Sequence, residues 1–197
     1  MCISVAPVTA QQDQMMQKDQ MQKNQMQKDQ MQKDQSTMML RETTTTLQGP
    51  PVSELDARFI NDIHLGNKKE VALSNMALQK ATSSAIKQYA QQMIDYHKQS
   101  DGKIVQLAQM QKVNLPEGPS TSMHSVMDRL SALSGSSFDK AYMDELVEDH
   151  NRNVYVYRMQ AERGTDNDVR AFATQSLPEI ESHLASARSI SQQVASK

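Results

Sequence analysis

From residue 53 onward, apolar residues recur at steps of three and four, the spacing that lines up side chains on one face of an α-helix. The first stripe is Phe59, Ile63, Gly66, Glu70, Leu73 and Ala77. With Ser53 as its N-cap it predicts a helix ending near Ala81, and Thr82-Ser83-Ser84 reads as a short turn. A second stripe runs through Ile86, Tyr89/Ala90, Met93, His97, Ile104 and Leu107/Ala108, and stops before Asn114-Leu115-Pro116. Pro116–Ser122, with Gly118 and Pro119, predicts the longest internal loop, followed by a short helix over Met123–Leu133 and a break at Ser134-Gly135. The third long stripe starts around Ser137 and carries Phe138, Tyr142, Leu146/Val147, His150, Val154 and Tyr157 as far as Gly164. The fourth, capped by Thr165 or Asp166, carries Val169, Phe172/Ala173, Leu177, Ile180, His183/Leu184 and Ala187. Pro178 lies inside it and lacks a backbone donor, which predicts a kink or a split.

The turns at 81–84 and 164–166 are too short for anything but antiparallel neighbours. The pattern therefore predicts an all-α, antiparallel four-helix bundle over residues 53–197, with a short extra helix in a longer connection that crosses the bundle end. No run alternates in polarity with β-branched enrichment, so no sheet is expected.

Residues 11–52 form a low-complexity tail and linker. The unit Met-Gln-Lys-Asp/Asn-Gln recurs from Met16, Met21, Met26 and Met31. A five-residue repeat advances about 140° per unit around a helix, so its methionines spiral and make no continuous apolar face. Such a segment gains too little burial to offset its ordering, and it reads as disordered or a frayed helix. Thr43–Thr46 and Gly49-Pro50-Pro51 link it to the bundle. Residues 1–10 end in Val8-Thr9-Ala10, small residues suited to a signal-peptide cleavage site, and read as a signal-peptide remnant. The expected location is therefore outside the cytoplasm, in the periplasm or cell envelope.

Composition narrows the partners. The 21 Lys and Arg nearly balance the 23 Asp and Glu, leaving a net charge of −2 and no basic stripe for nucleic acid. No 18-residue apolar run is present, so no transmembrane segment is expected. The single Cys2 permits neither an internal disulfide nor a thiolate metal site.

Each long stripe includes one potential metal ligand: Glu70, His97, His150 and His183. Glu70 lies 12 residues before Thr82 and His97 lies 15 after it; His150 lies 14 before Gly164 and His183 lies 19 after it. At about 1.5 Å per residue these depths agree to about one helical turn, so the four side chains can meet on one cross-section. A carboxylate with three imidazoles suits one divalent transition ion such as Zn, Fe, Mn or Cu. The plainer reading is a buried polar layer in which Glu70 accepts from the imidazoles. His64 and His124 are expected at the periphery. Asp95, Glu148 and Glu181 sit two before stripe histidines and turn away, whereas Glu179 is four before His183, as an orienting or a surface residue. The tail thioethers are soft ligands for Cu(I) or Ag(I), and the plainer reading there is a polar spacer.

From Phe59 to Ile190 the chain resembles a bacterial family of exported ferritin-like proteins, the domain of unknown function numbered four-one-four-two, often described as outer membrane proteins. The resemblance rests on Glu70-Val71, on Tyr89-Ala90-Gln91-Gln92-Met93 running to His97, on Phe138-Asp139-Lys140-Ala141-Tyr142 running to His150, and on Phe172-Ala173 through Leu177-Pro178 to His183. The family usually has Asp directly before the second-helix histidine; here Tyr96 stands there and Asp95 precedes it. The resemblance implies a ferritin-like bundle and export, and no known activity. Di-iron members of that fold carry Glu three residues before His, whereas Ile94 and Ile180 occupy those places here, so a single ion fits better. Three functions follow as expectations. The first is a non-enzymatic envelope protein holding a metal or small ligand, in stress tolerance. The second is a mononuclear-metal enzyme acting on reactive oxygen species. The third is an interaction protein using the methionine-rich tail.

Overall fold

The structure is a computed structural model that describes residue 18 and residues 20–35 and 52–196. It separates into two units, Met1–Pro50 and Pro51–Lys197. In the first, residues 20–35 form a helix, α1, with every side chain exposed. Met21, Met26 and Met31 are 69%, 62% and 65% exposed, as a repeat without a continuous apolar face dictates. Of the two states open to the tail, α1 is the helical one. The signal-peptide remnant and the linker lie outside the described residues.

The second unit holds α2 (Glu54–Lys80), α3 (Ser84–Gln111), α4 (Thr121–Ser131), α5 (Gly135–Arg163) and α6 (Asn167–Ala195), with no strand among the described residues. Ser53 caps α2 by accepting from Asp56 N, and Asp166 caps α6 by accepting from the amides of Asp168 and Val169. α3 ends at Lys112, which takes a left-handed conformation with φ of 56°. At the end of α5, a Cβ on Gly164 would collide with Gln160 and come within 3.0 Å of Asp56 Oδ1, so only glycine fits. α6 continues as one helix through Pro178 and is not split. Val169 and Ala173 before the proline and Ile180 and Ala187 after it are all buried, so both halves of the helix are anchored by packing.

Two buried carboxylates fix the topology. Asp56, at the start of α2, accepts from the amide and hydroxyl of Thr165 and the amide of Asp166, beyond the end of α5. Asp139, at the start of α5, accepts from the amide and hydroxyl of Thr82 and the amide of Ser83, beyond the end of α2. α2 and α5 are therefore antiparallel neighbours. α3 packs on α2, and α6 packs on both α5 and α3.

This order corrects one expectation. The connection between α3 and α5 does not cross an end of the bundle; it runs the bundle's length. Val113 and Leu115 pack at the Phe59–Tyr157 end, while Leu130 is buried at the Phe138–Ala81 end. A tight end-crossing would make α5 parallel to α2, and the Asp139 cap rules that out. α4 lies over α2 and α5, held by Lys80 Nζ to Ser131 O at 2.5 Å and by Arg129 to Glu145 at 2.5 Å.

The core is not continuous. One apolar cluster includes Leu73, Ile86, Met93, Phe138, Tyr142 and Leu146, and the other Phe59, Ile60, Ile104, Tyr157, Val169 and Ile180. Between them lies a layer of buried polar residues: Asn67, Glu70, His97, Ser100, His150 and His183.

Candidate metal centre

α3, α5 and α6 each bring one histidine into this layer. His97, His150 and His183 are buried, with one ring nitrogen from each lying within 4.8 Å of the other two. Their ring centroids stand 5.6–6.1 Å apart.

Hydrogen bonding fixes which nitrogen carries the proton in His150 and His97. His150 Nδ1 faces the carbonyl of Leu146 at 2.9 Å, and a carbonyl only accepts, so Nδ1–H donates and Nε2 keeps its lone pair. His97 Nδ1 donates to Asn67 Oδ1 at 2.8 Å, and Asn67 Nδ2 in turn donates to Ser100 Oγ at 3.2 Å. His183 Nε2 lies 3.3 Å from the Glu179 carboxylate. The three remaining nitrogens, His97 Nε2, His150 Nε2 and His183 Nδ1, are buried without a hydrogen-bond partner.

Electrostatics keeps these rings uncharged. Burial, then His150 and His183, holds His97 well below its ordinary pKa. Burial lowers His150. Burial, then His150, brings His183 down to about 4. Near pH 7 all three are neutral imidazoles, the form that binds metals. Zn–N bonds of about 2.0–2.1 Å set ligand nitrogens ~3.3 Å apart in a tetrahedral site, so a small closing rotation of the rings would enclose an ion. The residues present fit a metal: three buried imidazoles with nitrogens within reach of one ion, two of them held through the other ring nitrogen, the arrangement that orients metal-binding histidines. Hydroxyls surround them. Tyr89 donates to His183 O at 3.1 Å, Tyr142 pairs with Ser74 at 3.1 Å, and Tyr96 sets its ring edgewise against both His97 and His183.

Glu70 stands beside the trio. Its nearest approach is 3.7 Å from Oε1 to His150 Nδ1, on the far side of that ring from the lone pair. Both its oxygens are buried without a partner. Burial, then the charge of Asp149, raises its pKa well above the ordinary carboxyl value. His64 is not peripheral: it is 4% exposed, and its Nδ1 meets Asp101 at 2.7 Å, across the α2–α3 contact. That pairing offsets the cost of burying the ring, which a single stripe cannot reveal. His124, Asp95, Glu148 and Glu181 are exposed. Glu179 is exposed and also reaches His183.

Sequence periodicity missed Asn67, Ser100 and a charged network in which Lys69 Nζ sits 2.6 Å from Glu145 and 2.7 Å from Asp149. A signal existed for two of them. Asn67 is three residues before Glu70 and Ser100 three after His97, both on the same helical face. The network had none, because the crossover path that brings Arg129 to Glu145 is a tertiary fact.

A model of one protein family, a domain of unknown function (DUF4142), matches residues 41–190. The chain belongs to this family. No curated protein matches it in sequence. Among solved structures, a DUF305 fragment from Deinococcus radiodurans is similar at 11% identity and TM-score 0.64, covering 73% of this chain and 99% of that one. A DUF305 protein from Streptomyces coelicolor, described as a candidate secreted protein, is similar at 17% identity and TM-score 0.62, covering 72% and 92%. CopM in its Cu(II)-bound form is similar at 15% identity and TM-score 0.57, covering 70% and 96%; it is also known in an Ag-bound form. At these identities the likeness is one of fold. Among the described residues of this DUF4142 protein, no helix is long and apolar enough to cross a membrane.

Proposed function

We propose that this protein is an exported helical bundle that holds one transition-metal ion on His97, His150 and His183. One observation carries this reading: three buried imidazoles each hold a ring nitrogen without a hydrogen-bond partner, and the three rings bring one nitrogen each within 4.8 Å of the others. A polar layer that satisfied itself would leave no such set. Three neutral imidazoles suit Zn, Fe(II), Mn or Cu and leave a fourth coordination position open. Glu70 lies outside the trio, with Oε1 3.7 Å from His150 Nδ1. The Cu(II)- and Ag-bound forms of CopM, a neighbour in fold, favour copper as the first ion to test. Export is supported by Val8-Thr9-Ala10 near the start of the chain and by the description of the Streptomyces neighbour.

The test is metal content and uptake in protein purified without a histidine tag. About one equivalent is expected for the native chain and none for a triple variant with His97→Gln, His150→Gln and His183→Gln. Ion at a hundredfold excess over Kd should add about 2.7 kcal/mol to native stability and nothing to the variant. Unchanged metal content in the triple variant would defeat the proposal.

A further inference from the structure

A cleft of about 360 Å³ opens between α2, α5 and the crossover, lined by Asp62, Gly66, Lys69 and Glu70 on one side, Asp149 and Arg152 on another, and Ser122 above. Resting on the three-histidine reading, we infer that this cleft is the port through which a divalent cation enters the bundle, with Glu70 as its first protein ligand.

Size permits it. Six hydrating waters at ~30 Å³ each occupy ~180 Å³, so a hydrated ion fits with room to shed its shell. An unpartnered carboxyl group marks it. The Asp149 carboxylate is matched by Lys69 at 2.7 Å and Arg152 at 2.6 Å, and Glu145 by Lys69 and Arg129. Glu70 is different: 1% exposed, it lines the cleft with two oxygens that no donor meets. Asp62 is exposed at the rim, where a carboxylate attracts a cation first. An ion held on Glu70 stands beside the polar layer, since Oε1 lies 3.7 Å from the His150 ring.

Gly66 is the second sign that the space is kept clear. Glycine is the least helix-favouring residue after proline, yet it stands in the middle of α2, where a Cβ would meet no atom within 4 Å. Any larger side chain there would project into the cleft. On the opposite face the layer is closed by Tyr96, whose ring lies 4.6 Å from that of His183 and 5.2 Å from that of His97. Glu179 beside it is the rival port.

Stopped-flow mixing with Cu(II), followed by quenching of tyrosine emission, separates the two routes. The chain has five tyrosines and no tryptophan, and Tyr96 abuts two of the histidines, so the signal reports arrival at the layer. Glu70→Gln keeps the shape and removes the carboxyl group that would take the ion; Gly66→Leu fills the cleft. Both should slow association about tenfold or more, the size of an electrostatic or steric entry effect, while still taking up one equivalent. Circular dichroism confirms that each variant is folded, and Gly66→Ala, which barely protrudes, should bind at the native rate. Native rates in Glu70→Gln and Gly66→Leu, or slowing in Glu179→Gln instead, would overturn the port. Failure of the underlying reading looks different: the native protein takes up no Cu(II), or the triple histidine variant still does.

Discussion

The two hairpins, α2–α3 and α5–α6, carry the same scaffold and different chemistry. Asp56 and Asp139, Thr82 and Thr165, Asn67 and His150, Ser100 and His183 all stand at one constant separation along the sequence. The first two pairs do identical work: each aspartate accepts from the amide and hydroxyl of the opposite hairpin's threonine and from the next amide. The last two pairs diverge. Asn67 and Ser100 bond to each other and close their part of the layer, whereas His150 and His183 each keep a ring nitrogen unpartnered and bring a nitrogen within 4.8 Å of His97. The comparison separates residues that hold the bundle from residues that can hold an ion, so the two sets should respond to different perturbations.

The largest expected effect is on the scaffold. Asp56→Ala or Asp139→Ala strips a buried acceptor from several donors at once and should cost about 3–5 kcal/mol, read as a lowered urea midpoint. A loss below about 1 kcal/mol in both would show that the caps do not carry the hairpin docking.

Next comes acid. A buried neutral histidine binds its proton more weakly when folded than when unfolded. Stability is therefore complete above the unfolded pKa near 6.5 and lost as pH falls toward the folded value of about 4 for His183. The slope should approach about 1.4 kcal/mol per pH unit for each such ring in metal-free protein. Melting curves between these limits test it. The triple His→Gln variant should flatten the slope, and an unchanged slope would place the titration elsewhere.

A smaller effect should follow from Asn67→Ala. It frees the His97 ring, and the loss of such an orienting partner weakens metal affinity by about 10–100-fold in comparable sites. Calorimetric titration with Cu(II) measures it; full affinity would mean that the first hairpin's pair is only structural. The smallest effect belongs to α1. Removing residues 20–35, whose side chains are all exposed, should leave the bundle's melting within about 0.5 kcal/mol of native.

Local periodicity settled much by itself. Helix spacing places Glu70, His97, His150 and His183 on apolar stripes, and the short turns at 81–84 and 164–166 make each hairpin antiparallel. Ser53, Asp166 and Gly164 mark helix ends because capping depends on neighbours a few residues away. What spacing cannot encode is how one hairpin docks on the other. Only the tertiary structure sent the α3–α5 crossover along the bundle, buried His64 against Asp101, and moved Glu70 aside from the three histidines. The His97 tautomer likewise depends on Asn67, an acceptor presented by the neighbouring helix 30 residues away in sequence, whereas His150 is set by Leu146 O within its own helix.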